Sequence, residues 1–173
     1  MSPLSVSGVM AMVSAGARGN TLTQLMNGFS FPTPSSLQLG YQDTLPALKS
    51  TNSFTLEAGN TAFIKNSYSL SHSFQDTLEN IFHTSFQRVN FERSHSVAAK
   101  INNWVKNITR DKIKNVIKPD MLDSDTRLVL INAIYFTTFP CSWATGRLGR
   151  QVGEWQEKSK FRLRLILVKV TDK

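Results

Sequence analysis

Nine consecutive residues, Leu128 to Phe136 (LVLINAIYF), are apolar except for one amide, Asn132. A run this short cannot cross a membrane as a helix. With so many aliphatic and aromatic residues, it reads as a buried strand. Such a strand constrains the whole chain, because it needs apolar cover and hydrogen-bonding neighbours along its backbone. Asn132 sharpens the demand, since a buried amide left unpaired costs about 1–3 kcal/mol. The neighbouring Leu, Ile and Ala residues offer it nothing, so its partners must come from elsewhere in the fold. Short hydroxyls at a helix start would suit, and Ser2 and Ser5 are of that kind. A bulge or a water molecule would serve as well.

The remaining segments can supply that cover. "SPLSVSGVMAMVSAG" reads as a small-residue helix, with Ser2 as N-cap, Pro3 at the first position and an apolar stripe of Val6, Val9, Met10 and Val13. Residues 6–17 also have the length and small-residue ending of a secretory signal core, but no Lys or Arg precedes Arg18 to form a positive n-region. A second short helix follows, capped at Asn20 or Thr21. Residues 30–53 are rich in Ser, Thr and Pro and read as a loop with one helical turn near Tyr41–Leu48. "TLEAGNTAFI" (55–64) alternates as a strand does, with Leu56, Ala58, Asn60, Ala62 and Ile64 on one side.

Phe74, Leu78, Ile81 and Phe82 mark an amphipathic helix, followed by a short strand near Phe86–Phe91. Residues 94–109 give the cleanest helical pattern, with Ser94 as cap and Val97, Ile101, Trp104, Val105 and Ile108 on one face. A short helix broken at Pro119 and an acidic turn then lead into the apolar run.

Composition narrows the function classes. Apolar residues make up 40% and charged residues 18%, which is globular rather than disordered. The net charge is +8, but residues 139–173 hold eight basic residues against three acidic ones, so most of it belongs to that segment. Its Trp143 and Trp155 are not interleaved with the basic residues as a nucleic-acid platform requires. No nucleic-acid or membrane partner is expected.

His72, His83 and His95 have no Cys or carboxylate at metal-ligand spacing. No Gly-x-Ser-x-Gly elbow or phosphate-binding Gly-rich loop exists, and Cys141 has no local support as a nucleophile. Asp123 and Asp125 alternate as calcium ligands do, but the position needing Gly is Leu128 and the closing Glu is Ile134, so a solvated turn is the reading. No enzyme, cofactor or metal is expected. Asn107 opens the sequon Asn-Ile-Thr, a glycosylation acceptor if the chain is secreted.

Four segments resemble the serpin family of serine protease inhibitors, in the family's order, over about 135 residues. Residues 2–21 resemble its helix B, "LEAGNTAFI" the second strand of its large sheet A, and "KINNWVKNITRDKIKNVI" its helix F. "TRLVLINAIYF" resembles the third strand of sheet A. The resemblance implies an α+β fold, a partial serpin with helices B to F and a mixed sheet A but no complete sheets B and C. It implies that Asn132, Ser2 and Ser5 form the polar cluster under sheet A called the shutter, where the sheet parts to admit the reactive loop. It implies a serine protease as the partner of the parent family, and an extracellular parent.

After Phe136 the resemblance lapses. The family continues Phe-Lys-Gly-x-Trp, whereas here the text is "FTTFPCSW", with Trp143 displaced and the Gly missing. Nothing later resembles strand five or the reactive loop, and helix A should precede Ser2. The expectation is a truncated form, with residues 1–138 a partial serpin domain and 139–173 a divergent basic tail. Such a chain would not inhibit proteases. The alternative is a binding module that pairs with other proteins through an incomplete sheet. The third strand would then offer an open edge for self-association, unless "FRLRLILVKV" (161–170) pairs with it.

Overall fold

The computed structural model describes residues 3–47, 54–138 and 162–171. Along the chain these form α1 (Pro3–Gly16), α2 (Gly19–Gly28), α3 (Pro34–Ala47), β1 (Phe54–Lys65), α4 (His72–Asn80), β2 (Thr84–Val89) and α5 (Ser94–Ile108). A 3-10 turn (Pro119–Met121), β3 (Thr126–Thr138) and β4 (Arg162–Thr171) follow. The strands make one mixed sheet in the order β2-β1-β3-β4. β1 runs parallel to β2, while β3 runs antiparallel to both β1 and β4. The architecture is mixed α+β, as expected.

The apolar run is β3, flanked by a strand on each side. Successive side chains of a strand point to opposite faces, and here both faces are covered. Leu128 and Leu130 join Val9 and Met12 of α1, Tyr41 of α3, and Ala62, Ile64, Leu78 and Phe82. Val129 and Ile131 join Phe63, Phe91 and the apolar face of α5, Val97, Ile101 and Val105. Double cover explains why the run does not alternate. The same holds for the second half of β1, where Thr61, Ala62, Phe63 and Ile64 are all buried.

Several sequence expectations need correction. The buried face of α1 carries Ser5, Val9 and Met12 rather than the stripe of Val6, Met10 and Val13, which are half-buried. The presumed loop after residue 30 holds a full helix, α3. Thr33 caps it by accepting from the Ser36 amide at 3.2 Å, Pro34 opens it, and Tyr41 anchors it with its ring 5.3 Å from that of Phe82. The α2 helix begins at Gly19, with Arg18 rather than Asn20 or Thr21 at the cap position.

Ser94 is the first residue of α5, not its cap, which is Arg93. β2 begins at Thr84 and ends at Val89, two residues ahead of the expected strand. The short helix expected over 111–118 is not formed. Arg110, Asp111 and Asn115 have positive φ, which breaks the helical path, and Pro119 instead opens the 3-10 turn. Finally, the β3 edge is not open: β4, from the basic tail, pairs along it, so the sheet ends at β2 and β4.

Candidate functional site

β1 and β3 place Asn60 and Asn132 directly opposite one another in register. Each strand puts its amide on the face covered by α1, in line with Ala62 and Leu130. Asn132 Nδ2 donates to Asn60 Oδ1 at 2.9 Å, and Asn60 Nδ2 donates to the Phe82 carbonyl at 2.7 Å. The result is a polar thread running from the Phe82 carbonyl through two amides to the middle of β3. Asn132 is only 7% exposed, and its Oδ1 accepts no hydrogen bond among the described residues. A buried acceptor with open lone pairs in an apolar layer is the most unusual chemical feature of this sheet.

Of the residues singled out in the sequence, Ser5 is buried on α1, the helix that covers the Asn132 face. Ser2 lies outside the described residues, as do Cys141, Trp143 and Trp155. The partner of the Asn132 amide is Asn60, to which the sequence reading gave no role. The signal was available: Asn60 interrupts the apolar side of β1 as Asn132 interrupts β3.

On the far side of β3, β4 sets Ile166 opposite Asn132, Arg164 opposite Ile134, Arg162 opposite Phe136 and Lys169 opposite Val129. The α1 helix packs on both β3 and β4. This edge is therefore a strand-binding surface already in use, and what it does chemically is hydrogen-bond a backbone.

Around it, polar side chains hold the frame. Arg110, just beyond α5, pairs with Glu57 of β1 through two hydrogen bonds, one from Nε at 3.2 Å, and stacks over the Tyr135 ring at 5.3 Å. The Glu57 carboxylate raises the Arg110 pKa. Tyr41 donates to Ser7 Oγ at 2.7 Å, and burial raises its hydroxyl above the ordinary value while that hydrogen bond opposes the shift. Asp123 receives the Asp125 amide and the Thr126 hydroxyl, so the acidic segment is a self-bonded turn into β3. Asn107 is exposed on the last turn of α5, whereas the sequon's Thr109 is buried and donates to the Val105 carbonyl at 2.7 Å. Among the described residues no three His, Cys, Asp or Glu could hold a metal ion, and no helix is long and apolar enough to cross a membrane.

The described residues form a mixed α+β frame whose central apolar strand is paired on both sides and carries a buried amide bonded to a second amide on β1. The family model for "Serpin (serine protease inhibitor)" matches residues 1–145, and the chain belongs to the serpin family. It is 40% identical over 141 residues to Iripin-2 of Ixodes ricinus, a match covering 78% of this chain and 35% of that protein. To human leukocyte elastase inhibitor it is 35% identical over 138 residues, covering 79% and 36%.

Among solved structures, a cleaved Serpin 42Da superposes with a TM-score of 0.73 at 34% identity, covering 78% of this chain and 36% of that one. Emu ovalbumin (Dromaius novaehollandiae) superposes with a TM-score of 0.73 at 26% identity, covering 78% and 39%. The chain spans about a third of the length of the curated relatives it matches.

Proposed function

We propose that these 173 residues carry the strand-receiving part of a serine protease inhibitor and do not inhibit a protease by themselves. In the parent mechanism a protease cleaves an exposed loop, and the loop then enters sheet A as a new strand beside the third strand. Among the matched structures one is described as a loop-inserted, cleaved ovalbumin. The observation that carries the reading is the place of β4: it lies antiparallel along the side of β3 away from β1, where such a strand would add. With β3 paired on both sides, the sheet has no vacancy to reward a cleaved loop. On this reading residues 1–138 are the serpin portion and 139–173 a divergent segment. The chain is not an enzyme, and the parent is extracellular, with Asn107 as an acceptor for glycosylation.

Ser2, Ser5 and Asn132 form the polar cluster beneath the sheet. In support, Ser5 is buried on the helix covering Asn132, and Asn132 Oδ1 has an open acceptor position. A polar cluster there sets a barrier to parting the strands without filling the gap with fixed packing.

The test is direct. Incubated with trypsin-like and chymotrypsin-like proteases, the chain is expected to give no SDS-resistant adduct and to be digested. A lasting covalent band would overturn the reading. A second reading, a module that binds other proteins by strand pairing, is favoured by the same docked β4, which shows that the β3 edge accepts an antiparallel strand.

A further inference from the structure

We propose that residues 162–171 act as an internal plug of the β3 edge, and that this edge grades any strand laid on it by the residue placed opposite Asn132. The proposal rests on the reading of β3 as a strand-receiving edge, and it adds what occupies the edge in this chain and what would displace it.

The plug is well placed. β4 pairs with β3 from Phe136 down to Thr126, with one irregularity between Thr126 and Leu128, and α1 packs on both strands. The helix that covers Leu128 and Leu130 thus also lies against the docked segment.

The plug is also poorly matched. Opposite Asn132, whose buried Oδ1 accepts no hydrogen bond among the described residues, the register places Ile166, a residue type without a side-chain donor.

Such a strand can hold the edge because it is carried on the same chain. A tethered segment is presented at an effective concentration on the order of millimolar. A foreign strand at micromolar concentration is then shut out unless its fit is better. The improvement the edge offers is specific: a hydroxyl or amide N–H opposite Asn132 satisfies the open acceptor. The favoured partner is an extended, largely apolar segment with Thr, Ser or Asn at that one position.

The test uses the full chain and a full-length variant, Leu165→Pro with Ile166→Pro. Amide directions alternate along an antiparallel strand, so one of these two prolines removes a bond to β3. Fluorescent decapeptides of sequence 162–171 are titrated against both proteins. One peptide is unaltered, one has the Ile166→Thr change and one has Ile166→Val, which matches Thr in shape.

The proline variant is expected to bind the unaltered peptide at least about tenfold more tightly than the full chain does, because the tethered competitor is gone. It should bind the Thr peptide roughly five to ten times more tightly than the Val peptide, the worth of one net hydrogen bond. Equal binding to both proteins, or a Thr peptide no better than the Val peptide, overturns the proposal.

If the proline variant does not fold, amide exchange of β3 in the full chain decides. Ile166→Thr must then protect Leu128–Phe136 better than Ile166→Val, and equal or weaker protection overturns the proposal. A protease adduct from the unaltered chain would instead defeat the reading under Proposed function, so the two failures are distinguishable.

Discussion

Among the described residues the Asn132 side chain has one hydrogen-bond partner, Asn60, and that makes its cost measurable. Asn60→Ala leaves a buried donor stranded and should lower stability by about 1–3 kcal/mol in urea unfolding. Replacing both amides, Asn60→Leu with Asn132→Leu, removes donor and acceptor together. That double variant should recover part of the loss, since the Asn132 donor goes with its acceptor, while the Phe82 carbonyl loses the Asn60 donor in both variants. If the double variant is worse than the sum of the singles, the amide pair is not the isolated unit described here.

Tyr41 gives a second residue-scale outcome, in the alkaline range. Burial raises its hydroxyl above the ordinary value of 10.0. The unfolded chain therefore loses this proton first as pH rises. The contribution is fully present below pH 10.0 and is lost as pH climbs through the folded value. Tyr41→Phe should be less stable at neutral pH by about 0.5–1.5 kcal/mol, having lost the bond to Ser7, yet should decline less above pH 10. Denaturation midpoints between pH 7 and 11 would show the two curves converging.

At the scale of elements, what the sequence disclosed depended on periodicity. α5 was legible because Val97, Ile101 and Val105 recur at helical spacing and all three are buried. β3 was legible because a nine-residue apolar run has few other homes. α3 was not, because its Ser, Thr and Pro content is that of a loop, and its anchor is a tertiary contact between Tyr41 and Phe82 that no local pattern announces. The tilt of the buried face of α1 toward Ser5 escaped for a related reason: an almost uniformly small, apolar helix has no strong stripe to read.

The candidate site was half legible. Asn132 stood out as an interruption, whereas its pairing with Asn60 is a matter of register between strands 72 residues apart. The segment after α5 shows how a non-periodic stretch can still be fixed in place. Asn102 holds it from above, donating to the Ile117 carbonyl at 2.9 Å and accepting from the Ile117 amide at 3.0 Å. Asn102→Ala should release residues 110–118 while leaving α5 folded. The expected result is faster hydrogen exchange at the Ile117 amide and a loss of about 1–3 kcal/mol. Unchanged exchange at Ile117 would show that the clamp is not what orders the segment.

At the scale of the molecule, the two apolar layers share one sheet, and among the described residues no side chain belongs to both. Leu130 faces the α1 layer and its neighbour Ile131 faces the α5 layer, and they are 1% and 0% exposed. Either layer alone covers one side of β3, and a strand with one face uncovered loses the burial that fixes its register. The layers should therefore fold and unfold together, with the backbone of β3 as the link. Leu130→Ala and Ile131→Ala should each cost about 2–5 kcal/mol.

The informative readout is Trp104, which packs against the α5 layer and is made the sole tryptophan by Trp143→Phe and Trp155→Phe. If the sheet couples the layers, Leu130→Ala moves the Trp104 fluorescence midpoint as far as it moves the far-ultraviolet dichroism midpoint, although the mutation lies on the opposite face. If Trp104 ignores Leu130→Ala and responds only to Ile131→Ala, the layers are separate units. In that case the tie between α1 and the β3 edge, on which the docking of β4 depends, would have to be sought in the α1 layer alone.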